Sequence, residues 1–324
     1  MAHQSRFDVT SLGEVLLRFA VGPGTRLAEA RSLDLKVAGA EMNTCAALAS
    51  LGRKTGLLTA LPNNDVAQLP LRRLRELAID TEAVRLEPDS RIGTYYVELA
   101  GAPRTVKVTY DRMNSAASRM ALKATDWEYL LDTRLLHLTG ITPALSDTCR
   151  ELVEAALERA QSANVPVSFD INYRSNLWPA SDAGNWCDAH IREVEILCCA
   201  ERDARNLFGL GGTAEEVADG LYESLRPKAL VLTLGDEGAL LYENGEVQRQ
   251  SAVPALIVDR LGAGDALAAG LIDGWLDDSL RAGMERGVIL AALALSQVGD
   301  QVITNRAEVE SLAAASMTPG GIAR

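Results

Sequence analysis

The chain of 324 residues is 48% hydrophobic and carries 32 basic against 44 acidic side chains, a formal charge of −12. This is a globular composition, long enough for a substantial core. The acidic excess, with no basic block interleaved with aromatics, opposes binding to nucleic acid or anionic lipid, so an anionic ligand must be met by locally placed arginines or backbone amides.

Short runs rich in Val, Ile, Leu and Thr alternate with segments of helical period, which predicts an α/β fold with a parallel sheet and crossover helices. In chain order, a strand over 9–12 ends at Gly13, and a departure from the rhythm follows over 14–36 around the turn-forming Gly22, Pro23 and Gly24. A helix over 41–51, a strand over 55–60 and a helix over 66–77 come next. Strand-like runs at 92–99 and 105–110, joined through Ala100, Gly101, Ala102 and Pro103, then read as a hairpin. The two departures are expected to meet as a small β lid, built from about residues 14–37 and 91–112 within a single 1–324 domain, over the carboxyl edge where such sheets bind ligands. Strands over 135–139, 167–170, 195–199, 229–234 and 239–242 alternate with helices over 149–160, 214–225 and 266–276. The tail after Leu312 reads as mobile. A homo-oligomer is expected, with Val97 and Leu99 of the lid facing either a second copy or the sheet.

Several classes lose ground. Residues 1–8 contain no apolar signal-peptide core, and the longest apolar run, Val288 to Leu295, is far below the ~18–20 residues that span a bilayer. Cys45, Cys149, Cys187, Cys198 and Cys199 form no C-x-x-C pair and read as buried thiols of a reducing cytoplasm. His3, at an end expected to fray, His137 and His190 have no metal-ligand spacing. Without a G-x-S-x-G elbow, a P-loop or a complete G-x-G-x-x-G, serine hydrolase, P-loop and dinucleotide dehydrogenase chemistry are disfavoured.

The most informative segment is 251–276. A strand is expected to enter Asp259-Arg260-Leu261-Gly262-Ala263-Gly264-Asp265-Ala266 and to leave as a helix of small residues. Gly262 and Gly264 let the backbone approach a ligand, and the free N–H groups at the positive end of the helix make a pocket suited to phosphate. Asp265 beside it is placed to act as a general base, accepting the proton of an attacking hydroxyl. It has a plainer reading as the helix N-cap, and Ala266, Ala268, Ala269 and Gly270 as tight helix packing.

That segment resembles the signature of the ribokinase-like (PfkB) carbohydrate kinases, an Asp, two variable residues and Gly-Ala-Gly-Asp. The resemblance extends over nearly the whole chain. Gly13-Glu14 and Ala38-Gly39-Ala40-Glu41-Met42-Asn43 are similar to its sugar-binding segment, and Thr233-Leu234-Gly235-Asp236-Glu237-Gly238 to its nucleotide-binding strand end. It implies a three-layer α/β/α sandwich with a β lid, with Asp265 as the base and the amides of Gly262, Ala263 and Gly264 as an anion hole. It further implies ATP near Gly235, Gly238, Gly262 and Gly264, Mg2+ bridging the phosphates, and Asp259 beside a monovalent cation, possible identity K+.

Within the family the resemblance is to the 2-keto-3-deoxygluconate kinases, through Tyr110-Asp111-Arg112, Leu138-Thr139-Gly140-Ile141-Thr142, Asp170-Ile171-Asn172-Tyr173-Arg174, Leu177-Trp178-Pro179 and Gly299-Asp300. It implies phosphorylation of the 6-hydroxyl of a sugar acid held by Gly39, Asn43, Tyr95, Tyr110, Arg112, Ile141 and Arg174. Chemistry points the same way, because a carboxylate needs a cation and an arginine fork suits it best. The plainer readings are an ion pair with an acid such as Asp111 for the arginines and cross-strand packing for the tyrosines. A fructokinase or other neutral-sugar kinase, and a non-catalytic sugar or nucleotide sensor, are the alternatives. The pattern departs at Ala38, Leu267 and Asn63-Asn64-Asp65. It also departs at Ala200-Glu201-Arg202-Asp203, where relatives carry Asn-x-x-Glu linked to Mg2+, so that Glu201 or Asp203 is left to substitute.

Overall fold

A computed structural model describes residues 5–100 and 104–316. The chain runs β1 (Phe7–Leu12), β2 (Leu16–Val21), β3 (Asp34–Ala38), α1 (Ala40–Ser50), β4 (Thr55–Pro62), α2 (Gln68–Glu76), β5 (Ile79–Asp80), β6 (Val84–Glu87), β7 (Gly93–Glu98) and β8 (Lys107–Asp111). It continues with α3 (Trp127–Leu131), β9 (Thr133–Thr139), α4 (Asp147–Ser162), β10 (Val167–Asp170), α5 (Ala180–His190), β11 (Ile196–Ala200), α6 (Glu201–Phe208) and α7 (Ala214–Leu225). The last elements are β12 (Ala229–Thr233), β13 (Ala239–Glu243), β14 (Glu246–Gln250), α8 (Ala263–Leu276), α9 (Leu280–Leu295) and α10 (Arg306–Ser316).

The main sheet has the order β14-β13-β12-β11-β10-β9-β1-β4-β5, with β6 also on β4, and is parallel except for β13 and β14. Central strands such as β11 and β12 read as continuous apolar runs because both faces are covered, whereas β14 at the edge is polar and largely exposed. Alternate residues serve opposite layers: on β12, Leu230 and Leu232 pack with α4, α5 and α7, whereas Ala229 and Val231 pack with α8 and α9. Each of these leucines, fully buried, contributes about 1.5–3 kcal/mol from the apolar area removed from water. His137 on β9 is buried beside Ser168, and burial pushes it down to about 4, so it is a neutral core residue. All five cysteines are buried and unpaired.

The segments at 14–37 and 91–112 form a second, four-stranded sheet in the order β3-β2-β7-β8. Its inner face, Leu16, Ala20, Ala38, Tyr95, Val97 and Leu99, packs with Leu261 of the loop ahead of α8. Val97 and Leu99 are therefore buried within the chain and offer no surface to a second copy. The connection through Gly101, Ala102 and Pro103 lies outside the described residues, as do His3 and 317–324. Helix α10 continues beyond Leu312, so the residues up to Ser316 are helical rather than a tail.

The strand expected at the start of 251–276 is absent. Leu256, Ile257 and Val258 are exposed, and the N–H groups of Val258 and Asp259 donate to the Leu295 carbonyl at the end of α9, so no neighbouring strand holds this stretch. An apolar run bounded by turn residues has the composition of a buried strand; here it is an irregular segment that leaves its apolar side chains exposed.

Small residues let α8 and α9 touch. A Cβ on Gly270 would stand 2.4 Å from the Cα of Gly287, and one on Gly274 would stand 2.3 Å from the Cα of Gly283. Gly270→Ala should therefore destabilise by about 1–3 kcal/mol through overpacking, against the roughly 1 kcal/mol that alanine gains in a helix. Urea unfolding measures this; an equal or higher midpoint would contradict the close contact.

Candidate active site

The carboxyl ends of β1, β9 and β10 and the inner face of the small sheet enclose a cleft. Gly39, Asn43, Tyr95, Tyr110, Arg112, Ile141, Arg174, Gly262 and Asp265 all line it. A second cavity of about 220 Å³ continues past Arg174 and Asp265 to Asp170, Asp203, Thr233 and Gly264. A larger one, about 450 Å³, lies at the opposite, amino edge among exposed side chains such as Glu158 and Arg192 and has no part in this arrangement.

Helix α8 starts at Ala263 with Gly262 as its N-cap residue, in a left-handed conformation (φ +85°) and without a capping side chain. A Cβ on Gly262 would stand 1.9 Å from the Asp300 carbonyl oxygen, so only glycine fits this turn. The first N–H groups of the helix keep their donors and point from the positive end of its dipole. Asp265 lies inside the first turn and is not the cap. Its Oδ2 accepts from Asn43 Nδ2 at 2.7 Å. Burial pushes its carboxyl up to about 7, opposed by the Asn43 hydrogen bond, with Asp170 and Asp300 raising it and Arg174 lowering it.

Gly39 opens α1 against the link between β1 and β2, where a Cβ would stand 2.3 Å from the Glu14 carbonyl oxygen. Two residues further, Glu41 is buried, accepting from the hydroxyls of Thr139 at 2.7 Å and Thr142 at 2.8 Å, and burial raises its carboxyl. Arg112 is paired, though not with Asp111, which binds Arg91. Its Nε and Nη2 both donate to Glu14, whose other oxygen accepts from Ser115. The Arg174 guanidinium has no hydrogen bond or ion pair among the described residues and faces both cavities. A left-handed Asn172, whose N–H donates to Asp170 Oδ1 at 3.1 Å, turns the chain after β10 and sets Arg174 there. The Tyr95 hydroxyl is already engaged, donating to Asp300 at 2.6 Å, and the Tyr95 and Tyr110 rings pack with centroids 5.5 Å apart.

Gly235 and Gly238 are not brought to either cavity. They form the turn after β12, where Gly238 presses on the backbone of 250–252. Glu14, Glu41, Asp170 and Asp300, to which the sequence assigned no role, also line these cavities, and Asp300 in turn holds Arg18. Arg18 carried a signal, a lone cation in the apolar strand β2. The others are acids whose proximity no spacing announces.

A model of the pfkB family carbohydrate kinases matches residues 7–306. A 2-dehydro-3-deoxygalactonokinase of Haloferax volcanii is 33% identical over 304 residues, covering 94% of this chain and 95% of that protein. A 2-dehydro-3-deoxygluconokinase of Thermoproteus tenax is 29% identical, covering 95% of each. The crystal structure of a 2-dehydro-3-deoxygluconokinase from Thermotoga maritima superposes with a TM-score of 0.90 at 30% identity, over 95% of this chain and all (100%) of that one.

The donors present suit one implied ion and not the other. The second cavity joins the carboxylates of Asp170 and Asp203 to an uncapped helix start, the hard-oxygen surroundings that Mg2+ shares with phosphates and water. Glu201 and Asp203 are both ion-paired, to Arg205 at 2.6 Å and to the exposed Arg202 at 3.1 Å, but only Asp203 lines the cavity. Among the described residues no three His, Cys, Asp or Glu side chains form a closed metal cage. Asp259 does not fit a monovalent cation. Its Oδ1 accepts from the Leu261 N–H and its Oδ2 from the Gly299 N–H, each at 3.2 Å, and Oδ2 also meets the fully buried guanidinium of Arg18. Replacing K+ by tetramethylammonium at constant ionic strength should move the thermal midpoint by less than about 1 °C, since an ion that binds the folded state would raise it. A concentration-dependent rise with K+ would overturn this.

Proposed function

This chain belongs to the pfkB family of carbohydrate kinases, and on that premise we propose that it transfers the terminal phosphoryl group of ATP to the 6-hydroxyl of 2-keto-3-deoxygluconate. The observation that carries the reading is a single cleft holding an uncapped helix start, a carboxyl lifted toward neutrality and a guanidinium without an ion-pair partner. A neutral sugar gives no reason for an unpaired Arg174; a sugar carboxylate does. Arg112, neutralised by Glu14, contributes a wall of the cleft. The galactonokinase named among the relatives favours a second reading, that the C4 epimer 2-keto-3-deoxygalactonate is accepted as well.

In this mechanism Asp265, ionised, accepts the proton of the sugar hydroxyl as that oxygen attacks, and Asn43 holds the carboxylate in place. The N–H groups of Gly262, Ala263 and Gly264 receive the charge that develops on the transferring group. Mg2+ supplies charge neutralisation for the nucleotide phosphates, with Asp170 and Asp203 as the side chains to hold it. The small sheet acts as a lid that excludes water and so suppresses hydrolysis of ATP.

Coupled ADP release tests the assignment. Asp265→Asn should lower kcat by about 10²–10⁴-fold, the usual worth of a positioned base; a variant keeping most of its turnover would remove that role. Measured at pH 9, where Asp265 is ionised with or without the neighbouring guanidinium, Arg174→Met should raise KM for either keto-acid at least tenfold, as about 1.4 kcal/mol of charge-assisted bonding is lost, and leave any activity on fructose unchanged. Greater activity on fructose than on both acids would reject the sugar-acid reading.

The proton chemistry fixes a pH dependence. Asp265 must be ionised to accept a proton, and burial lifts it to about 7, so activity is lost as pH falls through that value. A plot of log(kcat/KM) against pH should bend near 7 with unit slope on the acid side; a plateau extending to pH 5 would contradict it.

A further inference from the structure

We infer that Gln301 is a positioning residue for this reaction: it fixes the side-chain amide of Asn43 with the NH2 group toward Asp265. This deepens the proposed function and rests on it for its kinetic consequence. Gln301 is buried on the segment after α9, does not line the cleft and makes no hydrogen bond to Asp265. Its Nε2 donates to the Val37 carbonyl at the end of β3 and, at 3.1 Å, to Asn43 Oδ1. On its other side Arg73 Nε of α2 donates to Gln301 Oε1 at 3.4 Å.

An amide can be turned either way, and its partners decide which. A backbone carbonyl only accepts and a guanidinium only donates, so Val37 and Arg73 together force the NH2 of Gln301 inward and its oxygen outward. With one N–H on Val37, the other meets Asn43, which must answer with its oxygen. The NH2 of Asn43 is then the group left for Asp265, at 2.7 Å. Polarity set at the sheet end and at α2 is thus handed through two amides to the base. Were Asn43 to flip, its oxygen would face the carboxylate, and the donated hydrogen bond that favours the ionised form would become a repulsion.

The charged groups that act most on Asp265 are Asp170 on β10, Arg174 on the following turn and Asp300 ahead of Gln301, and Asp203 and Arg202 of α6 and Arg260 ahead of α8 line its second cavity. Glu41 on α1 and the Glu14–Arg112 pair line the same cleft. Replacing Gln301 by a neutral side chain alters none of them, so a changed titration of Asp265 reports the amide.

The experiment uses Gln301→Met, close in length and volume, with Gln301→Leu as the second variant should the first fail to fold. The carboxyl 13C resonance of Asp265, assigned by its loss in Asp265→Asn, is titrated by NMR, and kcat/KM is measured against pH. We expect the Asp265 midpoint to rise by about one unit, with activity at pH 6 down about tenfold and activity at pH 9 within about threefold of the parent. An unmoved midpoint with a uniform loss at every pH would overturn the inference and leave Gln301 a packing residue. If the midpoint rises while the rate profile stays put, the positioning stands and the base assignment of Asp265 falls. If Asp265→Asn abolishes turnover while the midpoint is unmoved in the Gln301 variants, the base assignment stands and the positioning falls.

Discussion

A guanidinium sealed from solvent joins the small sheet of this protein to the loops that precede α8 and follow α9. Arg18 projects from β2 of the small sheet to Asp259, ahead of α8, and to Asp300, after α9, and Tyr95 of β7 closes the group by donating to Asp300. Any of these charges buried alone would cost several kcal/mol; together they are tolerated, and removing one partner leaves another uncompensated. The backbone of Asp300 presses on Gly262 while its carboxylate holds Arg18. The contact that seats the small sheet is therefore the one that bends the chain into the uncapped start of α8.

The acids of the cleft are sorted by what surrounds them. Glu14 is taken by Arg112 and Ser115, and Asp259 by Arg18 and backbone N–H groups. Glu41 has two hydroxyl donors but no cation, and burial raises it. Asp265 and Asp170 have few donors and little water, and burial lifts each to about 7. Identical chemical groups thus acquire different duties: the paired ones build the scaffold, and the poorly solvated ones can exchange a proton or meet a metal near neutral pH. Arg174 is the complement of this sorting, a guanidinium with no hydrogen bond or ion pair among the described residues, which acts on Asp170 and Asp265 through its charge alone.

The parallel sheet was readable because its central strands must be apolar on both faces, which leaves continuous Val, Ile and Leu runs such as 229–234. The two segments that form the small sheet stood out by alternation, the pattern of strands with one face covered. At 251–258 the same kind of signal misled, since an irregular apolar stretch left exposed has the composition of one lying within a sheet. Likewise, Val97 and Leu99 showed that they need burial but not against what.

For the site, the linear order of residues determined that glycines and an aspartate stand where a loop becomes a helix, because backbone conformation and helix-end chemistry are local properties. It also determined which arginines and tyrosines were available to a sugar acid. Folding alone decided which arginine was spent on Glu14 and which stayed free, that Arg18 rather than an ion faces Asp259, and that Gln301 stands behind Asn43. Those outcomes depend on distances between residues separated by as many as 282 positions, as in Arg18 and Asp300. Charge pairing and desolvation act through space, and no spacing along the chain encodes them.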